Sequence, residues 1–258
     1  MKIWAHRGCS QLYPENTITS FSKAMEVPGV AGIELDIQLS RDDELVVIHD
    51  ERVDRTTDGV GFVRDLTLRE LKSCHIHTGD EKPEHIPTMM EVFDLLAPKL
   101  LEYSRAKEKG EERGMRLNIE LKNSVYPYPG MESKIVEMVH KYGVQDAVVY
   151  SSFYAESLLK VHELDPSAEL GVLDTKVSDC LFKAIGLEQL IEEPVKMALH
   201  PYGNEVDIKD YRFSDRTVRA WFGGHLYPEK PTGGKLDVFK YEALGVTDLF
   251  LNEPEKYC

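Results

Sequence analysis

Three short clusters and one histidine-arginine pair carry the residues with the most chemistry to offer. Glu34 and Asp36 lie two apart, as do Glu120 and Lys122, while His6-Arg7 and His49-Asp50 each follow a short apolar run. Two histidines, three metal-competent carboxylates and two cations are the inventory for metal-assisted cleavage of a phosphate ester. Residues two apart in a strand leave the same face. Glu34 and Asp36 would therefore share a pocket, with Ile33, Leu35 and Ile37 turned the other way, and Glu120 on the next barrel strand would join them. Carboxylates crowded together raise one another's pKa unless something neutralises them. A hard divalent cation does so through oxygen ligands, and it accepts a phosphate oxygen as well. The competing reading is an exposed strand with ordinary charged positions.

The cations and histidines each leave a choice. Lys122 would point to the side of Glu120, either as an ion pair or holding a phosphate oxygen. Arg7 has the planar, permanent charge that suits phosphate, or it pairs with Glu15 or Glu34. Phosphodiester cleavage needs a base for the attacking oxygen and an acid for the leaving alkoxide, and two imidazoles can do both. His6 and His49 are the candidates, against the reading of two hydrogen-bonded structural residues. Cys9 reads as a small packed residue. His75, His77 and His85 lack ligand spacing and read as solvated surface.

Elements must bring these groups together. Strand-like runs fall at 3–5, 31–37, 45–48, 116–121, 147–150, 169–173, 195–199, 218–222 and 248–251, with amphipathic stretches such as 19–27, 131–142, 154–164 and 239–244 between most of them. Alternating strand and helix predicts βαβ units and a parallel sheet. Nine strands exceed a (β/α)8 barrel by one. The surplus is 45–48, joined to 31–37 by a polar turn too short for a parallel crossover, so that pair should be antiparallel. Residues 50–88 read as an insertion, with turns at Thr57-Asp58-Gly59 and Thr78-Gly79-Asp80 and a short helix capped by Thr67 with Glu70 three later. Residues 103–114 read as a solvated helix tail and turn, and 176–193 as helical. The expectation is a single α/β barrel over residues 1–258.

Bulk properties narrow the partners. The net charge of −14 over 258 residues speaks against a nucleic-acid partner, which wants a basic face, and against stable association with anionic membranes. No apolar run approaches a membrane span, and no leader pattern precedes the first motif. Cys9, Cys74, Cys180 and Cys258 are scattered without a CxxC pair, as expected of free thiols in the cytoplasm.

Taken in order, the motifs resemble the glycerophosphodiester phosphodiesterase family. They are His6-Arg7-Gly8, Pro14-Glu15-Asn16-Thr17, Phe21 and Ala24, Glu34-x-Asp36, His49-Asp50, Arg55-Thr56-Thr57 with Gly59 and Gly61, Thr67-x-x-Glu70-Leu71, Ile86-Pro87-Thr88 and Ile119-Glu120-x-Lys122. Ser151-Ser152-Phe153, Gly245-Val246-Thr247-Asp248 and Asn252-Glu253-Pro254 extend the match to the end of the sequence. The resemblance implies a (β/α)8 TIM barrel with a small insertion after the second strand. It implies hydrolysis of a small-molecule glycerophosphodiester to glycerol 3-phosphate and an alcohol, with a divalent cation, Ca2+ or Mg2+. Glu34, Asp36 and Glu120 would be the metal ligands, His6 and His49 the acid and base, and Arg7 and Lys122 the phosphate grips. Beside these, Trp221 could stack over glycerol or headgroup or sit in the core, and His200, at the end of run 195–199, could line the pocket or be structural. Three segments depart from the family pattern: Asp42-Asp43-Glu44, Trp221-Phe222-Gly223-Gly224 and Leu251-Asn252-Glu253-Pro254. The latter two put the alcohol preference in question.

Overall fold

Side-chain alternation along the strands builds the molecule. The computed structural model describes residues 1–78, 84–207, 209, 215–223 and 236–258. Its strands are β1 (Lys2–His6), β2 (Gly32–Leu39), β3 (Leu45–Val47), β4 (Arg116–Leu121), β5 (Val148–Ser152), β6 (Glu169–Asp174), β7 (Ala198–Pro201), β8 (Arg219–Trp221) and β9 (Asp248–Leu251). The helices are α1 (Ile18–Glu26), α2 (Leu68–Ser73), α3 (Met89–Lys107), α4 (Met131–Tyr142), α5 (Ala155–Leu164), α6 (Val177–Glu188) and α7 (Val238–Ala243). Eight strands run parallel in the order β7-β6-β5-β4-β2-β1-β9-β8. Bridges from Leu199 to Val218 and from Tyr202 to Trp221 draw β7 and β8 together, so the barrel is nearly closed. The expected surplus strand is β3, antiparallel to β2 with Ile37 opposite Val47.

Odd and even positions divide the labour. Ile3 and Ala5, Ile33, Leu35 and Ile37, and Leu117, Ile119 and Leu121 face outward into the main apolar core, with residues such as Phe21, Phe93, Leu96 and Ile135 from the helices. Inside the barrel, Trp4, Val149 and Phe250 form a separate apolar plug, with Ala31 and Trp221 against it. The alternate inward positions carry the charged groups. Burying both strand faces explains why the strands read as nearly continuous apolar runs punctuated by acids.

Helix starts are set locally. Thr17, Thr67 and Thr88 each cap a helix through a reciprocal capping box with Ser20, Glu70 and Glu91, satisfying donors that the first turn cannot. Between β3 and α3 the chain leaves the barrel ladder and packs on its own apolar cluster, in which Val53, Val63, Leu71 and Ile76 meet Val46, Ile48 and Ile86. Of the turn expected at Thr78-Gly79-Asp80, Gly79 and Asp80 lie outside the described residues, as does Gly224.

Candidate active site

Strand register assembles the acids at one end of the barrel. Glu34 pairs across from His6, Asp36 from Glu120, and Glu120 from Ser151. One oxygen from each of Glu34, Asp36 and Glu120 lies within 4.8 Å of the others, and all three residues are buried. The charges are not balanced within the cluster. Burial, then the neighbouring Asp36 and Glu120, push the Glu34 carboxyl well above its usual range. Burial and Asp36 likewise raise Glu120, against the pull of Lys122. Asp36 goes the other way: burial opposes its charge, but His49, Arg7 and Lys122 with a bond from Asn16 hold it well below the carboxylate range. Among the described residues its Oδ1 is buried without a hydrogen-bond partner. Three converging carboxylates with surplus negative charge and an orphaned oxygen fit a hard divalent cation.

The cations are engaged with these acids. Arg7 Nη1 lies 3.0 Å from Glu15 Oε1 and its Nε 3.3 Å from Asp36 Oδ2, while its backbone N–H donates to Glu34 Oε2 at 3.1 Å. Lys122 Nζ sits 3.1 Å from Glu120 Oε1 and 3.1 Å from His49 Nε2. Arg7 has a left-handed φ of 57°, which costs a non-glycine residue energy and recurs at functional sites. Gly8 follows at φ 82°, where a Cβ would meet the Ser20 hydroxyl at 2.5 Å, so α1 can approach this turn only because residue 8 is glycine.

His6 presents Nε2 to Glu34, and His49 presents it to the Lys122 ammonium. His6 Nδ1 lies 2.7 Å from Asn252 Oδ1, an oxygen that only accepts, so Nδ1 carries the proton. Its Nε2 is 3.7 Å from Glu34 Oε2. Burial, and then the Arg7 charge, push the His6 pKa down to about 3, leaving the ring neutral. His49 stands just beyond β3 with Nδ1 2.7 Å from Asp50 Oδ1. Arg55 in turn grips Asp50 from its Nε at 2.5 Å and reaches Glu15 at 2.7 Å.

Most of these groups line one cavity of about 620 Å³, with Asp36 and Lys122 set behind its surface. One wall holds His6, Arg7, Glu34, His49 and Glu120; the facing wall is apolar, with Phe153, Leu173, Trp221 and Phe250. Asn118 and Ser151 lie between, joined by a 2.8 Å bond. Trp221 is fixed there by donating Nε1–H to the His200 carbonyl at 3.0 Å.

Comparison with known proteins gives this arrangement its relatives. The model of the Glycerophosphoryl diester phosphodiesterase family matches residues 6–210. The chain belongs to this family. A glycerophosphodiester phosphodiesterase of Caldanaerobacter subterraneus subsp. tengcongensis is 44% identical over 174 residues, a stretch covering 66% of this chain and 65% of that protein. That is just under two thirds of the relative. One from Bacillus subtilis is 31% identical, covering 87% of this chain and 83% of its own. Among solved structures, an Oleispira antarctica phosphodiesterase in complex with sn-glycerol-3-phosphate superposes with a TM-score of 0.73 at 25% identity, over 99% of this chain and 94% of that one.

Of the two readings open for His200, lining the pocket or structural, its surroundings are those of a core residue. His200 is fully buried and is absent from the cavity wall. Its ring packs edge-on against Phe250, and Arg219 Nη1 lies 3.3 Å from its Nε2. Burial and the Arg219 charge hold its pKa well below the usual histidine value. It belongs to the barrel's filling, one layer beneath the site. Sequence reading also gave no role to Asn16, Gln38, Asp50 or Asn252, which hold the principal residues in place. Gln38 was visible in principle, two beyond Asp36 on the same strand face. Asn252, distant in sequence from His6, was not.

Proposed function

We propose that this protein hydrolyses glycerophosphodiesters to glycerol 3-phosphate and an alcohol, with a divalent cation held by Glu34, Asp36 and Glu120. The observation that carries the reading is that His6 and His49 share one cavity with Glu34 and Glu120, two members of the carboxylate cluster that Asp36 completes. A calcium or magnesium ion there would supply Lewis acidity toward a non-bridging phosphate oxygen. Arg7 and Lys122 add fixed positive charge where the phosphate arrives, and the apolar wall with Trp221 takes the carbon skeleton.

The two histidines divide the proton work. His6, neutral and tethered through Nδ1 to Asn252, accepts the proton of the attacking hydroxyl at Nε2. That hydroxyl comes from water, or from the substrate's own glycerol, in which case a cyclic phosphate forms and water then opens it to glycerol 3-phosphate. The phosphorus–oxygen bond to the departing alcohol breaks, and that oxygen takes a proton from His49. His49 has a carboxylate, Asp50, at its Nδ1, and His6 has a neutral carboxamide in the same place. We take this asymmetry as support for His49 as the acid and His6 as the base.

We take the substrate to be a small molecule rather than a nucleic acid, consistent with the net charge of −14. No helix among the described residues is long and apolar enough to cross a membrane. A cytoplasmic setting is part of the proposal and accords with four free cysteines. The test is release of glycerol 3-phosphate from glycerophosphocholine, with and without chelator. Activity should vanish after exhaustive EDTA treatment and return with added calcium or magnesium. Full turnover in EDTA would remove Glu34, Asp36 and Glu120 as metal ligands; no release under any condition would remove the activity.

A further inference from the structure

Gln38 is the third inward residue of β2, after Glu34 and Asp36, and it is fully buried. Its carboxamide nitrogen lies 3.1 Å from the carbonyl oxygen of Ile48, 3.1 Å from that of His49 and 2.7 Å from that of Asp50. Only a donor suits three converging carbonyl oxygens, so the amide can face them in one orientation alone. Its Oε1 points away and accepts from the Tyr128 hydroxyl at 2.9 Å. Tyr128 is itself buried, in the connection between β4 and α4 that opens with Lys122.

This clamp meets a specific need. His49 lies beyond the end of β3, where ladder pairing has stopped. The backbone N–H of Ile48 still donates to the Asp36 carbonyl at 3.0 Å, and the carbonyls of residues 48–50, buried at Ile48 and half-buried at His49 and Asp50, take a donor from Gln38. The bonds made by the His49 ring, to Asp50 and Lys122, set its rotation rather than the position of its backbone. Position comes from the strand that carries two of the acids.

We infer that Gln38, oriented by Tyr128, is a positioning residue that ties the backbone of the His49 segment to the metal-binding strand. The inference rests on His49 acting in catalysis, as proposed above. Reacting groups misplaced by about 1 Å can lose ~10²-fold in rate. Gln38→Leu, which keeps volume but removes the amide, should lower kcat by ~10–10²-fold with KM and divalent-ion affinity near wild type. Tyr128→Phe should lower kcat less, in the same direction.

Two comparisons separate positioning from general support. In a His49→Ala background Gln38→Leu should cost almost nothing further, because residues acting through one group are non-additive. The same fold-loss in both backgrounds would overturn the inference. Hydrogen exchange across residues 48–51 should also rise in Gln38→Leu, and unchanged exchange there would overturn it equally. That second readout needs no activity: absence of glycerol 3-phosphate release by the wild type defeats the proposed function, while exchange still judges the clamp. Should Gln38→Leu fail to fold, Tyr128→Phe is put through the same two comparisons.

Discussion

Lys122 is the residue at which two readings of this site come closest together. Its ammonium touches Glu120 and His49 alike, and although burial works against its charge, Glu120 and Asp36 outweigh that and raise its pKa. As a mere counter-ion to Glu120 it would matter for folding and metal affinity. As a phosphate grip it would matter for the transition state, where charge-assisted contacts strengthen. Lys122→Met should leave the protein folded and metal-binding while kcat/KM falls by ~10–10²-fold, the worth of one charge-assisted bond. A lower melting temperature with unchanged kcat/KM at saturating metal would assign it to structure. For the histidines, His6→Ala and His49→Ala should each reduce kcat by ~10²–10⁴-fold, the range for a lost proton-transfer group. Near-normal turnover in either variant would exclude that residue. The residues that bring charge were legible from sequence because strand parity dictates which positions share a face: 34 and 36, 120 and 122. The residues that orient them were less so. Asn252 reaches His6 across 246 positions of sequence, and its pairing becomes visible only once β9 lies beside β1.

Elements were easier to read than their contents. All nine strand runs became strands, because apolar stretches bounded by turn residues have few other ways to be buried on both faces. Run 195–199 is the instructive shift: its strand is Ala198–Pro201, and His200 thereby falls within the strand rather than at its mouth. Parity turns that side chain inward beneath the cavity, where no sequence signal separates a pocket residue from a packing one. Gly171 on the neighbouring β6 is the complement of this placement. A Cβ there would lie 2.3 Å from the His200 ring, so the strand accepts the imidazole only by having no side chain. Gly171→Ala should destabilise the barrel by ~1–3 kcal/mol through overpacking, read as a fall in melting temperature, and His200→Ala in the same chain should recover part of it. An unchanged melting temperature in Gly171→Ala would mean that His200 can leave its seat. The long α3 was read only in its tail, since Pro98 and the charged stretch after it break the apolar pattern.

At the scale of the molecule, the barrel's two ends carry opposite kinds of charge chemistry. At the ends of the strands that carry His6 and Lys122, acids crowd without full compensation. At the other end, the first residues of β4, β6, β8 and β9 pair acids with arginines in an ionic floor. Glu169 accepts from Arg116 at 2.6 Å and from Arg219 at 2.5 Å, with Asp248 3.6 Å from Arg219 and bonded to Trp4 at 2.8 Å. Barrel proteins put chemistry at the C-terminal ends of the strands and stability at the N-terminal ends, and the charges here divide along that line. Burial opposes the Glu169 charge, but Arg219 and Arg116 overcome it and hold the carboxyl down at about 2, from an ordinary 4.5. A carboxylate whose folded pKa is depressed contributes stability that is present above the unfolded value and lost as pH falls toward the folded one. The contribution of Glu169 should therefore be complete above about pH 5 and decline between 4.5 and about 2. Glu169→Gln should melt below the wild type at neutral pH, and the gap should narrow as pH drops through that window. The variant's turnover per folded molecule at neutral pH should stay near wild type, because the floor touches none of the groups that line the cavity's charged wall. A melting gap independent of pH would show that Glu169 contributes shape rather than charge, and the floor would then hold the barrel by packing alone.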